Sequence, residues 1–492
     1  MQIQLLDDAL PALEAGEPVR KRVLINAEQV LPDSNADLGQ LLTVQSTLLL
    51  KGKEIGVDTV TISGEILSCV QYLSEGEGAL SSLTVRRSFR FDAGLEGTDP
   101  SALPQLDWTI ARTEARPLNS RKLAVNYEIE AEIRPFRSVS FVSESRPPEI
   151  APDGIRTLDA GKAAYRCLSV TEKAFVIREQ VPLPSSLREK EQLLSKCIGF
   201  NCQGFEQIGS RAIVKGALSI VLWYKGENGL PRDLALSVPF SQLLDIGETA
   251  VCAQQMFVCP SSLELELVQT IEGDLALDAE VHAILQLAVW TQEDLRYIQD
   301  AYSLRADCVC HTEERDYVTR VEHEERHLDL DTRLAGLGDG EELLASWIEL
   351  GVVEPDEKVL RLPVTLDLLT RMSSGELSSA RRSCTLEAPA VPGTPGLDAK
   401  ILQHALRATG EGLELHLEAL VSWERRSAES IRCVRSLDLD EDGTDSSSNW
   451  SVALVRPAGE SLWELAKAYR ADLAEIRAWN DEDAEVLLIP RA

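Results

Sequence analysis

The chain has 492 residues, and a single hydrophobic core stops growing at about 250 to 300 residues, so the length predicts three or four domains. At 44% hydrophobic residues the composition is that of folded proteins and excludes wholesale disorder. The 80 acidic and 49 basic side chains give a net charge of -31, which disfavours nucleic acid and anionic lipid as partners and favours a basic or neutral polar surface.

The chain opens MQIQLLDDALPALEAGEPV, with acidic residues inside its apolar stretch, whereas a secretory signal needs basic residues followed by an apolar run. No apolar run reaches the roughly 18 to 20 residues of a membrane span. We therefore expect a cytoplasmic protein with no integral membrane segment.

Two long stretches of the chain match each other at an offset of about 150 residues, which indicates a duplicated unit. The first contains Glu28-Gln29-Val30, Pro32, Gln40-Leu41-Leu42, Gly64 and Tyr72, and the second contains Glu179-Gln180-Val181, Pro184, Gln192-Leu193-Leu194, Gly216 and Tyr224. A third, divergent copy shares Arg381-Arg382-Ser383 with Arg86-Arg87-Ser88, and Glu414-x-His416 with Glu280-x-His282. We predict units over residues 1–150, 151–305 and 306–437.

Within each unit the apolar residues alternate, as they do from Leu123 to Ile133, and this period is typical of half-buried strands. Residues 60–73 and 83–91, separated by a glycine-bearing break, predict a hairpin of an antiparallel sheet. The fold class predicted is mainly β, with three tandem antiparallel β-sandwich or open-barrel units.

The acidic, serine-rich residues 438–449 have linker composition and predict a tether between the body and a tail at residues 450–492. In the tail, Ser461 with Glu464 and Asp472 with Glu475 have the spacing of capping boxes, and each pair precedes an apolar helical face. Short strands flank the two helices. The tail is therefore predicted to be a β-α-α-β module.

The tail resembles LysM domains in its motifs. The matching residues are Val455, Gly459-Glu460-Ser461-Leu462, Leu465-Ala466, Tyr469, Asn480 and Leu487-Leu488-Ile489-Pro490. The resemblance implies a shallow groove for N-acetylglucosamine chains, formed by two loops whose residues here are Ala458, Gly459, Glu460, Ser461, Leu462, Asn480, Asp481, Val486 and Leu487. Glu460 stands where the family has Asp, and the usual Pro-Gly before the last strand is missing, which puts sugar binding in more doubt than the fold.

The order of repeated β-units followed by this tail resembles the clostridial spore-coat morphogenetic proteins of the SipL type, whose β-units are called SPOCS domains. The resemblance implies a scaffold in the mother cell that binds the polymerising coat ATPase, stage four sporulation protein A, at the forespore surface. A LysM domain that stays inside the cell would meet protein more readily than cell wall. Trp463 and Trp479 are then possible interface anchors, although their helical spacing favours a place in the small core.

Three other motifs are weighed against catalysis or metal binding. His323-Glu324-Glu325-Arg326-His327 has the His-Glu-x-x-His spacing of zinc proteases, but the segment aligns with strands, where the two histidines would lie roughly 13 Å apart. Asp438-x-Asp440-x-Asp442-Gly443 copies half of a calcium loop and lacks the Glu at position twelve. Cys308 and Cys310 would share one strand face without further zinc ligands.

The sequence carries no phosphate loop, nucleophile elbow or dinucleotide fingerprint, and it predicts no catalytic residue, metal or cofactor. The expected function is a non-enzymatic scaffold in spore-coat assembly. Two alternatives stay open: a peptidoglycan-binding protein and a LysM-targeted cell-wall hydrolase.

Overall fold

The structure is a computed structural model that describes residues 1–76, 78–95, 103–148, 154–184, 193–226, 229–247, 249–271, 273–338, 340–356, 358–390, 397–410, 412–440, 451–457, 459–481 and 485–490. Strands dominate it, and its two helices are short. The prediction of a mainly β protein is confirmed.

The first stretch folds into two three-stranded antiparallel sheets and an additional strand pair. Its strands are β1 (Gln2–Gln4), β2 (Leu6–Ala15), β3 (Val19–Val30), β4 (Leu38–Ile55), β5 (Thr59–Ser74), β6 (Leu80–Gly94), β7 (Gln105–Asn119), β8 (Lys122–Arg134) and β9 (Phe136–Arg146). One sheet has the order β3-β8-β7 and the other β4-β5-β6, while β2 pairs with β9. The predicted hairpin is confirmed, since it is the β5–β6 pair.

The second stretch repeats this order with two very long strands. Its strands are β10 (Ile155–Pro182), β11 (Leu193–Ile208), β12 (Arg211–Lys225), β13 (Pro231–Asp245), β14 (Ala253–Gln269) and β15 (Leu275–Ser303). The 28-residue β10 pairs with the 29-residue β15 along its whole length. These two strands correspond to β2 plus β3 and to β8 plus β9, each pair now continuous.

The third stretch has the same plan. Its strands are β16 (Asp307–Leu334), β17 (Glu342–Leu350), β18 (Glu354–Pro355), β19 (Val359–Arg371), β20 (Leu377–Pro389), β21 (Asp398–Thr409) and β22 (Gly412–Asp440). Long strands β16 and β22 pair with each other, and β17 and β20 flank β19. Because β22 runs to Asp440, residues 438–440 of the predicted linker belong to this strand, and residues 441–449 lie outside the described residues.

Each stretch has an apolar cluster centred on its own strands, and the first stretch also contributes Leu49 and Leu67 to the cluster of the second. The long strands of all three stretches belong to one nine-stranded sheet. The repeated glycines mark the same place in two of these cores. A Cβ on Gly64 would lie 2.4 Å from Phe89, and a Cβ on Gly216 would lie 2.5 Å from Phe240. Each phenylalanine faces its glycine across the strand pair and covers it, so a larger residue at either position would displace the ring.

The three stretches meet through the extended ends of their long strand pairs. Ala12, Phe141, Ala164, Leu295 and Ile431 come from all three and form one buried cluster. At another contact the rings of Trp223 and Trp347 lie 4.9 Å apart and join the second stretch to the third. The body is therefore three lobes packed around a common centre.

The C-terminal module consists of β23 (Val452–Val455), α1 (Leu462–Tyr469), α2 (Leu473–Trp479) and β24 (Leu487–Pro490). Its strands pair with each other in antiparallel register. Leu465, Ala466, Ile476 and Ile489 are buried in its core.

Candidate functional site

The two helices of the C-terminal module begin at side-chain caps. The Ser461 hydroxyl accepts a hydrogen bond from the Glu464 backbone N–H at 3.2 Å, and the Glu464 carboxylate accepts one from the Ser461 N–H at 2.7 Å, so the first predicted capping box is confirmed. These bonds hold the pKa of Glu464 below its usual range. Asp472 caps α2 by accepting a hydrogen bond from the Ala474 N–H at 2.8 Å, without the reciprocal bond that would complete a capping box. Its carboxylate also binds Arg156 of the body.

The strand register brings the two predicted binding loops to one end of the module. Val455, the last residue of β23, pairs with Leu487, the first residue of β24. The residues that directly follow β23 and those that directly precede β24 therefore lie at the same end of the module. Gly459 has a backbone φ of 113°, a value that residues with a side chain rarely adopt.

Several of the predicted loop residues are engaged inside the module rather than facing outward. The Asn480 carboxamide donates to the Ile476 and Leu488 carbonyls at 2.6 and 2.8 Å and accepts from the Leu488 N–H at 2.6 Å. Leu487 is buried, and Ser461 is the helix cap. Gly459, Glu460, Asp481 and Val486 are exposed, Leu462 is half-buried, and Ala458 lies outside the described residues.

Part of the exposed surface of the module is apolar. Leu454 and Leu488 are paired across the two strands and are 73% and 36% exposed, with Val452 beside them on the same face of β23. Val486 is 41% exposed, and Trp479 at the end of α2 is 53% exposed. The prediction that Trp479 lies in the core of the module is therefore wrong, because its ring is exposed to solvent.

The opposite side of the module is fixed to the body through Asp300, near the end of β15. The Asp300 carboxylate accepts hydrogen bonds from Lys467 Nζ at 2.6 and 2.8 Å and from Trp463 Nε1 at 2.9 Å. The Trp463 ring packs edge-on against Tyr302, with centroids 4.9 Å apart, and the Tyr302 hydroxyl donates to the Ala471 carbonyl at 2.7 Å. Trp463 is therefore an internal contact, and the module is docked rather than merely tethered.

Ionic contacts reinforce this docking. Burial alone would raise the pKa of Asp300, but the bonds from Lys467 and Trp463 outweigh it and hold the pKa below its usual range. The bond from Arg156 similarly lowers the pKa of Asp472. Burial raises the pKa of Tyr302 to about 12, which keeps its hydroxyl a donor. Sequence reasoning missed Asp300, Tyr302 and Arg156, because strand-end polar residues look alike in so acidic a chain.

A cavity of about 960 Å³ lies where the three lobes meet, and its wall includes Trp108, Phe200, Met256, Glu349, Lys400 and Glu424. The Glu349 side chain is accessible from the cavity but surrounded by protein, and this burial, with the charge of Asp367 nearby, raises its pKa to about 7. No short motif predicts the cavity, since each lobe contributes a different part of the wall.

One residue or more from each lobe joins a buried polar network in the wall of this cavity. Gln255 Oε1 accepts from Arg134 at 2.6 Å and from Arg426 at 3.3 Å, and Glu424 lies 3.6 Å from Arg134. Burial and, to a smaller extent, the charge of Arg134 lower the pKa of Arg426 to about 9. The network ties the lobes together across their interface.

The remaining sequence motifs fall on strands. His323 and His327 lie on β16, so the expected strand is confirmed for the His-Glu-x-x-His segment. Cys308 and Cys310, also on β16, both pack against one apolar cluster; the hydrogen bond from Cys308 lowers the pKa of Cys310 to about 7 and raises that of Cys308. Of the half calcium loop, Asp438 and Asp440 belong to β22 and the rest lies outside the described residues.

Sequence reasoning did not anticipate an exposed group of metal-binding residue types on the third lobe. His416 Nδ1 lies 2.9 Å from an Asp331 oxygen and 3.4 Å from an Asp329 oxygen. The hydrogen bond to Asp331 raises the pKa of His416. The geometry is that of a histidine paired with carboxylates across adjacent strands.

No family model, curated protein or solved structure matches this chain. Among the described residues no helix is long and apolar enough to cross a membrane.

Proposed function

We propose that this protein is a non-enzymatic scaffold in spore-coat assembly, built from three β-sandwich units and a C-terminal LysM domain. In this proposal it acts in the mother cell at the forespore surface, where its LysM domain binds a polymer, the polymerising coat ATPase. The sequence resemblance to proteins of the SipL type supplies the biological setting.

The observation that carries the proposal is the orientation of the module. Its α1 side is fixed to the body by Asp300 and Tyr302, while Leu454, Leu488 and Trp479 face outward. Exposed aliphatic and aromatic side chains in one small module favour a protein interface, where aromatic residues such as Trp479 are enriched among those that supply most of the binding energy. A docked module also presents this face at a fixed angle to the body, so less ordering entropy is lost on binding.

The alternative, a peptidoglycan ligand, draws on the two loops that the strand register brings together at one end of the module. Their exposed polar groups include the carboxylates of Glu460 and Asp481, while the Asn480 amide is held internally. This leaves fewer neutral hydrogen-bonding groups for a sugar chain than the family resemblance implies. We therefore rank protein above glycan.

The test is co-sedimentation of the full chain, and of a chain without residues 450–492, with the polymerised coat ATPase and separately with peptidoglycan sacculi. The proposal predicts that the full chain pellets with the ATPase and that the deletion abolishes this. Pelleting with sacculi alone would establish the glycan alternative and overturn the proposal. Circular dichroism of the truncated chain, expected to retain its strand signal, checks that the body still folds.

A further inference from the structure

The outer strand of each three-stranded meander has one edge that is not hydrogen-bonded to another strand among the described residues. These strands are β6, β13 and β20, and among the described residues each pairs with one strand only. None of the three has a register shift against its partner, so each offers a regular row of backbone N–H and C=O groups. Such rows are templates for pairing with another chain, and proteins usually block them.

Two of the three edges are blocked. On β13 the Leu243 carbonyl accepts a bond from Lys173 Nζ at 2.8 Å, and Pro239, which points the same way by alternation, has no N–H to offer. On β20 the Arg381 carbonyl accepts from Arg382 at 3.0 Å, and the Pro389 carbonyl accepts from Arg326 at 2.9 Å.

The edge of β6 lacks such blocks over most of its length. The Ala79 carbonyl and the Leu95 N–H both bond toward the β5 side, so odd-numbered residues face β5 and even-numbered ones face outward. The outward Ser82 carbonyl accepts from Asn35 at 3.0 Å. Beyond it, no described residue hydrogen-bonds to the outward backbone groups of residues 84–92.

Residues 84–92 carry three arginines and one acidic residue, the exposed Asp92, within a strongly acidic chain. Arg86, Arg87 and Arg90 are all exposed. Arg86 and Arg90 already pair with Glu65 and Glu54, each at 3.0 Å, whereas Arg87 has no ion pair with any described residue. Arginines can protect an edge by repulsion, and here they would repel a second copy of the same strand.

We propose that the outer edge of β6, residues 84–92, binds an extended, carboxylate-bearing segment of a partner protein, which adds to the sheet as a further strand. Backbone hydrogen bonds would supply affinity and the arginines would select for acidic residues. Arg86 and Arg90 project from one face of the sheet and Arg87 from the other, so the segment carries carboxylates on both of its faces. This surface is separate from the C-terminal module, and either can fail without the other.

The test uses a labelled acidic peptide of repeating Glu-Glu-Val-Val, which as a strand places carboxylates on both faces, and its Lys-for-Glu counterpart, each titrated with the full-length protein by fluorescence anisotropy. Ser88→Pro removes one outward N–H without touching the bonds to β5, and Ser88→Ala is its control. We expect the acidic peptide to bind, and Ser88→Pro to weaken it about tenfold because a hydrogen bond is lost and the ring obstructs pairing. Ser88→Ala should bind as the unaltered protein does.

The charge requirement is tested by Arg87→Glu, with Arg232→Glu on the blocked strand β13 as the matched control. The inference predicts weaker binding for the first variant alone. It is overturned if the acidic peptide does not bind, if both peptides bind equally, or if Ser88→Pro binds normally. It is also overturned if sedimentation velocity shows a dimer that Ser88→Pro abolishes, since the occupant would then be a second copy.

Discussion

Asp300 holds the C-terminal module against the body. One carboxylate receives both the Lys467 ammonium and the Trp463 indole N–H, and neither donor has another partner of this strength among the described contacts. The side chain is 28% exposed, so these bonds are only partly screened by water. The orientation of the outward module face depends on this contact together with Tyr302 and Arg156.

We predict that Asp300→Asn weakens docking by about 1 to 2 kcal/mol, because a charge-assisted acceptor is replaced by a neutral amide. Hydrogen exchange of the α1 amides, followed by mass spectrometry, should then be faster. Asp278→Asn, at an exposed position on the same strand, is the control and should leave α1 unchanged. Unaltered exchange in Asp300→Asn would show that the contact does not hold the module.

Docking should also depend on pH in the acid range. In the docked module the pKa values of Asp300 and Asp472 lie below their ordinary value. The two carboxylates therefore contribute fully to the free energy of docking above about pH 4, and this contribution is lost as the pH falls through the lowered pKa values. Fluorine NMR of 5-fluorotryptophan-labelled protein should show the Trp463 signal moving below about pH 4. The exposed Trp479 serves as the internal reference. A Trp463 signal that moves instead between pH 5 and 7 would contradict the assignment to these carboxylates.

At the scale of elements, strands β4, β10 and β15 are joined by a buried ion pair. Lys53 on β4 contacts Glu172 on β10, and its Nζ donates to the Gln286 amide oxygen at 3.0 Å. Gln286 in turn bonds both backbone groups of Leu106, at 2.9 and 2.8 Å, and so blocks part of the β7 edge. This network connects the first lobe to the second.

Lys53→Met is predicted to destabilise the body by about 3 to 5 kcal/mol, because it leaves the Glu172 carboxylate without its partner in a largely buried site. Chemical denaturation measures the loss. Lys215→Met removes a lysine from the exposed pair with Glu206 and should cost about 0 to 1 kcal/mol. Equal effects of the two substitutions would argue against a tightly packed interface between the lobes.

Elements with local signals could be predicted from the sequence. The alternation of apolar residues predicted the strands, and the glycine-bearing break predicted the β5–β6 hairpin. The spacing of Ser461 and Glu464 predicted the start of α1. The docking of α1 could not be predicted, because Asp300 and Lys467 are 167 residues apart and neither belongs to a motif. Trp479 was misjudged for the same reason: helical spacing says which residues share a face, but tertiary contacts decide which face is covered.

At the scale of the whole molecule, three lobes share a centre and one small module is fixed at the end of their long strands. The shared cluster around Phe141 and Ala164 and the contact of Trp223 with Trp347 bring the lobes together. Trp223 and Trp347 lie more than a hundred positions apart in the sequence. A repeat detected in the sequence therefore predicts the lobes and not their arrangement. The proposed scaffold depends on this arrangement. The exposed apolar face of the module has a fixed orientation relative to the body only if the three lobes are packed against one another.

The measurement that tests the proposed function most directly is the affinity of full-length Leu454→Asp for the polymerised coat ATPase, obtained by co-sedimentation over a range of polymer concentrations. Leu454 is 73% exposed on the outward module face, and Val57→Asp, at an 81% exposed position on the body, is the matched control. We predict that Leu454→Asp weakens binding at least about tenfold, since a charge in an apolar interface loses its solvation, whereas Val57→Asp binds normally. Equal binding by both variants and the unaltered chain would contradict a scaffold that docks through this face.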